Sequence, residues 1–224
     1  MGTISDKLDY LNDTKDAIKT AIVNKGVTVG ANDTFRSYAT KIGSISTKVA
    51  FPSGIRFGTS ASTFTDASFL ENVDFSNITS IGSMFNGCNS LVTIPTFDTS
   101  NITSLVSTFQ KCTALTTIGE LNFGSVVNIN SAFVNSSALT TLGGFKDLGK
   151  AYNTSQSANQ TTYTLNLSAS SSITHDSLMN VINDLYDIAG KGVQTQQLVL
   201  GNTNLARLSS AEISVATNKG WTVS

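Results

Sequence analysis

The chain has 224 residues, 40% hydrophobic and 13% charged, with a formal net charge of −1. That is enough for one or two domains with a sizeable core, and so small a net charge gives no electrostatic footprint for nucleic acid or an anionic membrane. No apolar run is long enough to span a bilayer, and two cysteines do not make a disulfide framework.

Residues 4–25 read as an amphipathic helix. Ile4, Leu8, Leu11, Ile18 and Ile22 recur at helical spacings, with Lys and Asp between them. Ser5 or Asp6 can cap its start, and Gly26 can end it. Lys15 interrupts the apolar stripe, which leaves it short for a coiled coil. Beyond a polar link at 27–32, Asp33 can cap a second helix through Phe35, Tyr38, Ala39 and Ile42. Two helices so joined make a hairpin, and residues 1–45 are assigned to attachment or oligomerisation. Leu8, Leu11, Ile18, Ile22, Phe35 and Tyr38 are its candidate contact residues. Packing of the two helices on each other explains the stripe equally well, although one small hairpin has little core of its own. Residues 1–6 lack the basic start and apolar core of a secretory leader, and no cell-wall sorting tail is evident after Trp221. The expectation is a protein that stays in the cytoplasm or leaves it by another route.

Residues 43–74 form an entry segment with a turn at Pro52-Ser53-Gly54. Phe64, Ala67, Leu70 and Val73 weakly echo the repeat of the next segment. From residue 75 to 145 the sequence repeats itself. Phe85, Phe109 and Phe133 are spaced by 24, as are Leu91, Leu115 and Leu139. Ile94, Ile118 and Leu142 keep the same interval, and Cys88 and Cys112 are followed by Ser136. A fixed period with apolar residues in fixed slots marks a solenoid: one unit cannot bury its apolar side alone, but stacked units can. Residues 91–94 and 115–118 read as strands pairing in parallel from coil to coil, and each Phe-x-x-Cys segment reads as a helical turn or short helix. Cys88 and Cys112 would then face each other, close enough for a bond to be conceivable. A reduced ladder is the expectation, because free cysteine is among the most buried residue types.

Residues 51–150 hold only four basic and six acidic residues. The repeat surface is therefore Ser, Thr, Asn and Gly, which offers hydrogen bonds to glycans or other neutral polar partners. The plainer reading, that repeats of this type are simply Ser/Thr-rich, is preferred. Residues 146–162 break the period, and the polar run at 153–160 reads as an exposed loop. Strands follow at 163–167 and 196–200. A helix over 174–189 places Leu178, Val181, Ile182, Leu185 and Ile188 on one face. Ser209 and Glu212 form a capping box that opens a last helix to Asn218, and residues 221–223 close the chain as a strand. This β–α–β–α–β order continues a parallel sheet with helices on its outer face.

Reactive chemistry is sparse. The one histidine, His175, sits beside a helix cap with no nucleophile motif nearby. One His and two Cys lying 24 apart do not supply a metal site. Asp184 and Asp187 read as solvated charges on a surface helix. No phosphate-binding Gly loop occurs. The expectation is no enzyme activity, no cofactor and no metal.

Three stretches carry resemblances. Phe97-Asp98-Thr99-Ser100-Asn101-Ile102-Thr103-Ser104-Leu105, followed by Phe109-Gln110-Lys111-Cys112-Thr113-Ala114-Leu115, resembles the leucine-rich repeats of BspA-like bacterial surface proteins. Ser83-Met84-Phe85-Asn86-Gly87-Cys88-Asn89-Ser90-Leu91 matches the second half of that repeat. The family implies a curved, parallel-stranded solenoid that binds other macromolecules, and it does not imply catalysis. Residues 7–42, through Lys7-Leu8-Asp9-Tyr10-Leu11 and Asp33-Thr34-Phe35-Arg36-Ser37-Tyr38, are similar to the N-terminal segment of many bacteriophage fibre, baseplate and minor virion proteins. Residues 173–222 resemble the C-terminal unit of BspA-like repeats found in phage proteins. Phage proteins leave by lysis and need no export signal.

The expected fold class is therefore α/β: a leucine-rich-repeat solenoid with a parallel sheet over 46–224, preceded by an α-helical hairpin. Its 24-residue repeats cover about 73–145 and longer β–α units cover 163–224. Phe85, Cys88, Leu91, Ile94, Phe109, Cys112, Leu115, Ile118, Phe133, Leu139 and Leu142 are its repeat core. The resemblances imply a non-enzymatic virion structural protein, assembled in the host cytoplasm. Its expected partners are other virion proteins, a host-surface glycan or protein, and further copies of itself, with neither nucleic acid nor membrane among them. A bacterial surface adhesin is the first alternative. A glycan depolymerase is weaker, because solenoid depolymerases show clustered carboxylates and aromatics that the middle of this chain lacks.

Overall fold

In a computed structural model the chain divides into two compact units, Met1–Val49 and Ala50–Ser224. The structure describes residues 3–30, 33, 41, 49–50, 54–58, 63–151, 163–192 and 196–224. A two-residue strand, β1 (Val49–Ala50), marks the boundary between the units.

The first unit contains helix α1 (Ile4–Val23). It ends where Gly26 turns left-handed at φ 80°, a conformation that glycine adopts without steric cost. Ile22 is buried at 1% exposure, whereas Ile4, Leu8 and Leu11 are 87%, 56% and 55% exposed. Of the second helix of the expected hairpin, only Asp33 and Lys41 are described, and Phe35 and Tyr38 lie outside the described residues. The Asp33 carboxylate accepts from the Gly30 amide at 2.6 Å and pairs with Lys41 at 3.2 Å.

The second unit is mixed α/β, with short parallel sheets and a few helices. A 3₁₀ turn, Ser68–Asn72, leads into β2 (Val73–Asp74). One sheet then joins β3 (Thr93–Ile94), β4 (Thr117–Ile118) and β6 (Thr141–Leu142), all parallel. Thr93 faces Thr117, which faces Thr141, so each step along the sheet is 24 residues of chain. The other pair, β5 (Leu121–Asn122) and β7 (Phe145–Lys146), keeps the same interval. These strands are shorter than the four-residue runs suggest, because the Leu of each Leu-x-x-Ile run sits in the turn that closes on Cys88 or Cys112.

A column of rings runs through the core. Phe85 stacks on Phe109 at 5.9 Å, Phe109 on Phe133 at 5.5 Å, and Phe133 on Phe145 at 5.6 Å. Phe57 extends the column beyond Phe85 at 5.7 Å. Leu91, Ile94, Leu115, Ile118, Leu139 and Leu142 are fully buried beside it. Each such side chain contributes about 1.5–3 kcal/mol when removed from water.

The Phe-x-x-Cys segments are not helical. Residues 81–88 form chained β-turns, with Met84 N donating to Ile81 O, Asn86 N to Ser83 O, and Cys88 N to Phe85 O. Ser83 and Gly87 are left-handed, at φ 59° and 78°. These reversals stop a helix from propagating and turn the intervening amides sideways. Ser83, Phe85 and Gly87 N then donate to the Val106, Thr108 and Gln110 carbonyls of the next unit. A second cross-unit ladder therefore runs along the turn face, where the sequence suggested helical turns.

The C-terminal part adds β8 (Thr164–Asn166), α2 (His175–Asp184), β9 (Gln197–Val199), α3 (Asn202–Leu205), α4 (Ser210–Asn218) and β10 (Thr222–Val223). β8, β9 and β10 form a parallel sheet with β9 in the middle. Helix α2 stops at Asp184, five residues short of the expected 189. Leu185 leaves the helix to bridge with Leu148, and Tyr186 N donates to Leu148 O at 2.9 Å. Lys219 Nζ takes over the freed end, donating to Ile182 O and Asn183 O. Asp184 is likewise not a solvated surface charge. It is half-buried and accepts from the Phe145 amide, and burial raises its pKa. The short helix α3 has no counterpart in the expected elements. It positions Asn204, whose buried amide donates to Ser170 O and Leu200 O.

The units approach closely at glycine. A Cβ on Gly119 would lie 2.4 Å from Thr96 N, and one on Gly143 would lie 2.5 Å from Glu120 N. Gly119→Ala forces two backbones apart and should lower stability by about 1–3 kcal/mol. Gly82→Ala, whose nearest neighbour is the Ser80 hydroxyl at 3.4 Å, should be close to neutral. Urea unfolding of the two variants checks the contrast.

Candidate functional site

Each repeat slot at the Phe-x-x-Cys turn has a chemical task. Cys88 and Cys112 are both buried, with no disulfide between them. The Cys112 thiol donates to Phe85 O at 3.0 Å. In the next unit the Ser136 hydroxyl donates to the equivalent Phe109 O. The slot thus requires a small donor, and this explains why Ser replaces Cys where packing alone would favour Ala. Burial, with Cys88 nearby, pushes the Cys112 pKa up to about 12. That thiol is therefore protonated and is no nucleophile.

The second cluster lies at the start of α2. His175 Nε2 is 2.8 Å from Glu212 Oε1, and Nδ1 is 3.4 Å from Asp176 Oδ1. Glu212 in turn accepts from the amide and hydroxyl of Ser209, completing the capping box of α4. The order is hydroxyl, carboxylate, imidazole. Nucleophilic catalysis needs the imidazole between the other two, so that it can take the hydroxyl proton. Here the carboxylate occupies that place, and the cluster fastens the starts of α2 and α4 together. Among the described residues, no three His, Cys, Asp or Glu side chains gather as metal ligands. No described helix is long and apolar enough to cross a membrane.

The third feature is an open groove on the turn face. Its walls include Arg56, Asn86, Asn89, Lys111, Thr113 and Asn135. Arg56 is held there by its neighbours. Phe57 N donates to Met84 O at 2.7 Å, and the Phe57 ring joins the aromatic column, which leaves Arg56 exposed. Gly58 lies so close to Asn86 O that no side chain would fit. Asn86 Nδ2 donates to Gln110 Oε1 at 3.0 Å, one unit along. Lys111 is left-handed at φ 60°, in the slot filled by Gly87 one unit before and by Asn135 one unit after. Reading the repeat for its apolar slots passes over this groove. A signal for it was present in the sequence: a slot alternating Gly, Lys and Asn at intervals of 24 marks positive φ.

The candidate repeat-core residues, from Phe85 to Leu142, are all buried together in one cluster. The candidate attachment residues are divided. Ile22 is buried, Ile18 half-buried, and Leu8 and Leu11 exposed. None of the candidate core or attachment residues lines the turn-face groove.

Residues 57–174 match the family described as Mycoplasma protein of unknown function, DUF285. No curated protein and no solved structure matches the chain.

The His175–Glu212 pair sets a pH dependence. The hydrogen bond to Glu212, and then that to Asp176, raises the His175 pKa above 6.5. Its contribution to stability is full below pH 6.5 and is lost as pH rises through the raised folded value. Glu212 is held down from 4.5 to about 2, first by the Ser209 amide, and its contribution is lost as pH falls toward that value. The pair therefore stabilises most between pH 4.5 and 6.5. The melting temperature of the intact chain should decline above that window, and His175→Gln should flatten the decline. An unchanged decline in the variant would assign it to other groups.

Proposed function

The chain belongs to the DUF285 family of BspA-like repeat proteins, and from that premise we propose that it is a non-enzymatic structural protein of a bacteriophage particle. Its place is in a fibre, a baseplate or a head decoration. In this reading the 24-residue units form a leucine-rich-repeat solenoid that presents its polar surface to a host-surface or virion partner. The N-terminal helix attaches the chain or joins it to further copies.

The observation that carries the reading is the divided seam of α1. Ile4, Leu8, Leu11, Ile18 and Ile22 fall on steps of 4, 3, 4, 3 and 4 in which Lys15 holds the one polar place and interrupts the apolar row. That alternation is the heptad spacing through which copies of one helix pack on each other. The half at Ile22 is buried, and the half at Ile4, Leu8 and Leu11 stands in water. An apolar row of this kind costs about 25 cal/mol for every Å² it leaves exposed. A second copy of the same seam covers it with matching spacing, as repeated subunits of a particle do. The similarity of residues 7–42 to the start of phage structural proteins supports the same assignment.

Two measurements test it. Peptide mapping of purified phage particles should recover the chain, and its absence from them ends the virion reading. Sedimentation of the purified chain should give an oligomer, and Leu8→Asp with Leu11→Asp should give a monomer with unchanged helix content. A monomeric unmodified chain would remove the self-association role of α1.

A further inference from the structure

We infer that the turn-face groove is a binding site for an anionic saccharide, one whose sugar rings carry carboxylates. The inference rests on reading the repeat stack as a recognition surface, and it names the ligand class of that surface.

Charge is the first argument. Residues 51–150 contain four basic side chains, Arg56, Lys111, Lys146 and Lys150. Lys150 is paired with Asp147. Arg56 and Lys111 both line the groove, and among the described residues neither forms an ion pair. No carboxylate stands among its described lining residues. In so sparsely charged a region, two cations beside one depression give a local positive field with no internal counter-charge.

Backbone strain is the second argument, and it is independent of the first. Lys111 holds φ 60°, where Gly87 and Asn135 hold the equivalent slot at 78° and 62°. Gly and Asn enter this region readily, whereas a long side chain does so at a cost. Such strain persists where a side chain has a task at that point. The next unit keeps the same turn with Asn135, so the turn itself does not call for a lysine. The cation itself is what the substitution adds.

The lining gives the ligand class. Asn86, Asn89, Thr113 and Asn135 line the groove together with the two cations. A side-chain amide offers a donor and an acceptor on one plane, which suits adjacent sugar hydroxyls. Arg56 can grip a carboxylate with two parallel N–H bonds, and Lys111 can meet a second as a point charge. The segment bearing Arg56 and the unit bearing Lys111 are two stacking steps apart, or about 10 Å at the spacing of paired strands. A short oligosaccharide can span that distance, with one sugar near each cation. Two cations are too few for a nucleic-acid backbone, whose binding draws on many phosphate contacts.

The test is calorimetric titration of the full chain with a galacturonic acid tetrasaccharide at low ionic strength, with maltotetraose as the neutral match. Expected results are saturable binding of the acidic probe and at least about tenfold weaker binding of the neutral one. Arg56→Gln and Lys111→Asn should each weaken the acidic probe by about tenfold, and Lys146→Gln, outside the groove, should not. Lys111→Asn should also melt no lower than the unmodified chain, so a loss of binding there is not a loss of fold. Equal binding of both probes, full binding by Lys111→Asn, no binding of the acidic probe, or preferential binding of inorganic phosphate or of phosphatidylglycerol vesicles would each overturn the inference. A chain recovered from phage particles that fails this titration overturns the ligand class and leaves the particle role standing. A chain that binds the probe and is absent from particles does the reverse.

Discussion

The repeats of residues 73–146 depend on one register: residue n lies beside residue n + 24 in the next turn of chain. Thr93, Thr117 and Thr141 obey it in the sheet, and Ser80, Ser104 and Asn128 obey it as single bridges. The turn-face amides obey it through donors at Ser83, Phe85 and Gly87 and again at Ser107, Phe109 and Lys111. Two backbone ladders, one through the strands and one through the turns, fix the unit length. A one-residue insertion would break whichever ladder it did not sit beside. The stacking of Phe85, Phe109 and Phe133 is a consequence of this register, since identical side chains fall on identical backbone positions and their rings meet, while Phe57 and Phe145 join the column from outside the register.

The same register explains the composition. Thr103 Oγ1 donates to Thr79 O, Thr116 Oγ1 to Val92 O, and Thr140 Oγ1 to Thr116 O. Asn101 Nδ2 donates to Ser76 O, and Ser125 Oγ to Ser100 O. Asp74, Asp98 and Asn122, again 24 apart, each accept from the amide two residues on. The Ser, Thr and Asn that make the surface look ready for a partner are in large part occupied in holding one unit to the next. At the far end of the stack, side chains of α2 replace the missing next unit. Leu142 N donates to Ser177 Oγ, and Asn180 Nδ2 donates to Leu142 O. A helix can thus cap a strand without adding another edge.

How much of this is legible in the sequence depends on whether a position repeats. The burial of Phe85, Phe109, Leu91 and Leu115 is readable because each slot is sampled more than once. Thr99 is not readable that way. It stands where Phe75 and Phe123 stand in the neighbouring units, and it is buried because its hydroxyl bonds both the N–H and the C=O of Asn122. The end of α2 escapes a reading of the sequence for a related reason. Leu185 and Ile188 keep helical spacing and are buried as the pattern asks, but the competing pairing with Leu148 comes from 37 residues away. The capping box of Ser209 and Glu212 is legible because its partners are three residues apart. The groove draws Arg56 from the irregular entry segment, outside the period, so no repeat logic leads to it.

The turn face also shows how a fold narrows the chemistry its surface can carry. Ser83, Ser107 and Ser131 form one left-handed column, and Gly87, Lys111 and Asn135 form another. Each such position favours a residue with no side chain or a short polar one, because a bulkier side chain crowds its own carbonyl. Across most of the face the backbone therefore selects small polar groups, which can position a sugar hydroxyl but cannot attract anything from a distance. Charge has to enter either from outside the repeat, as with Arg56, or at the expense of backbone strain, as with Lys111. Both departures from the pattern fall on the same groove. Independent departures would be scattered over three stacked turns; their convergence here sets two charged side chains on a surface whose other groups hold one unit to the next.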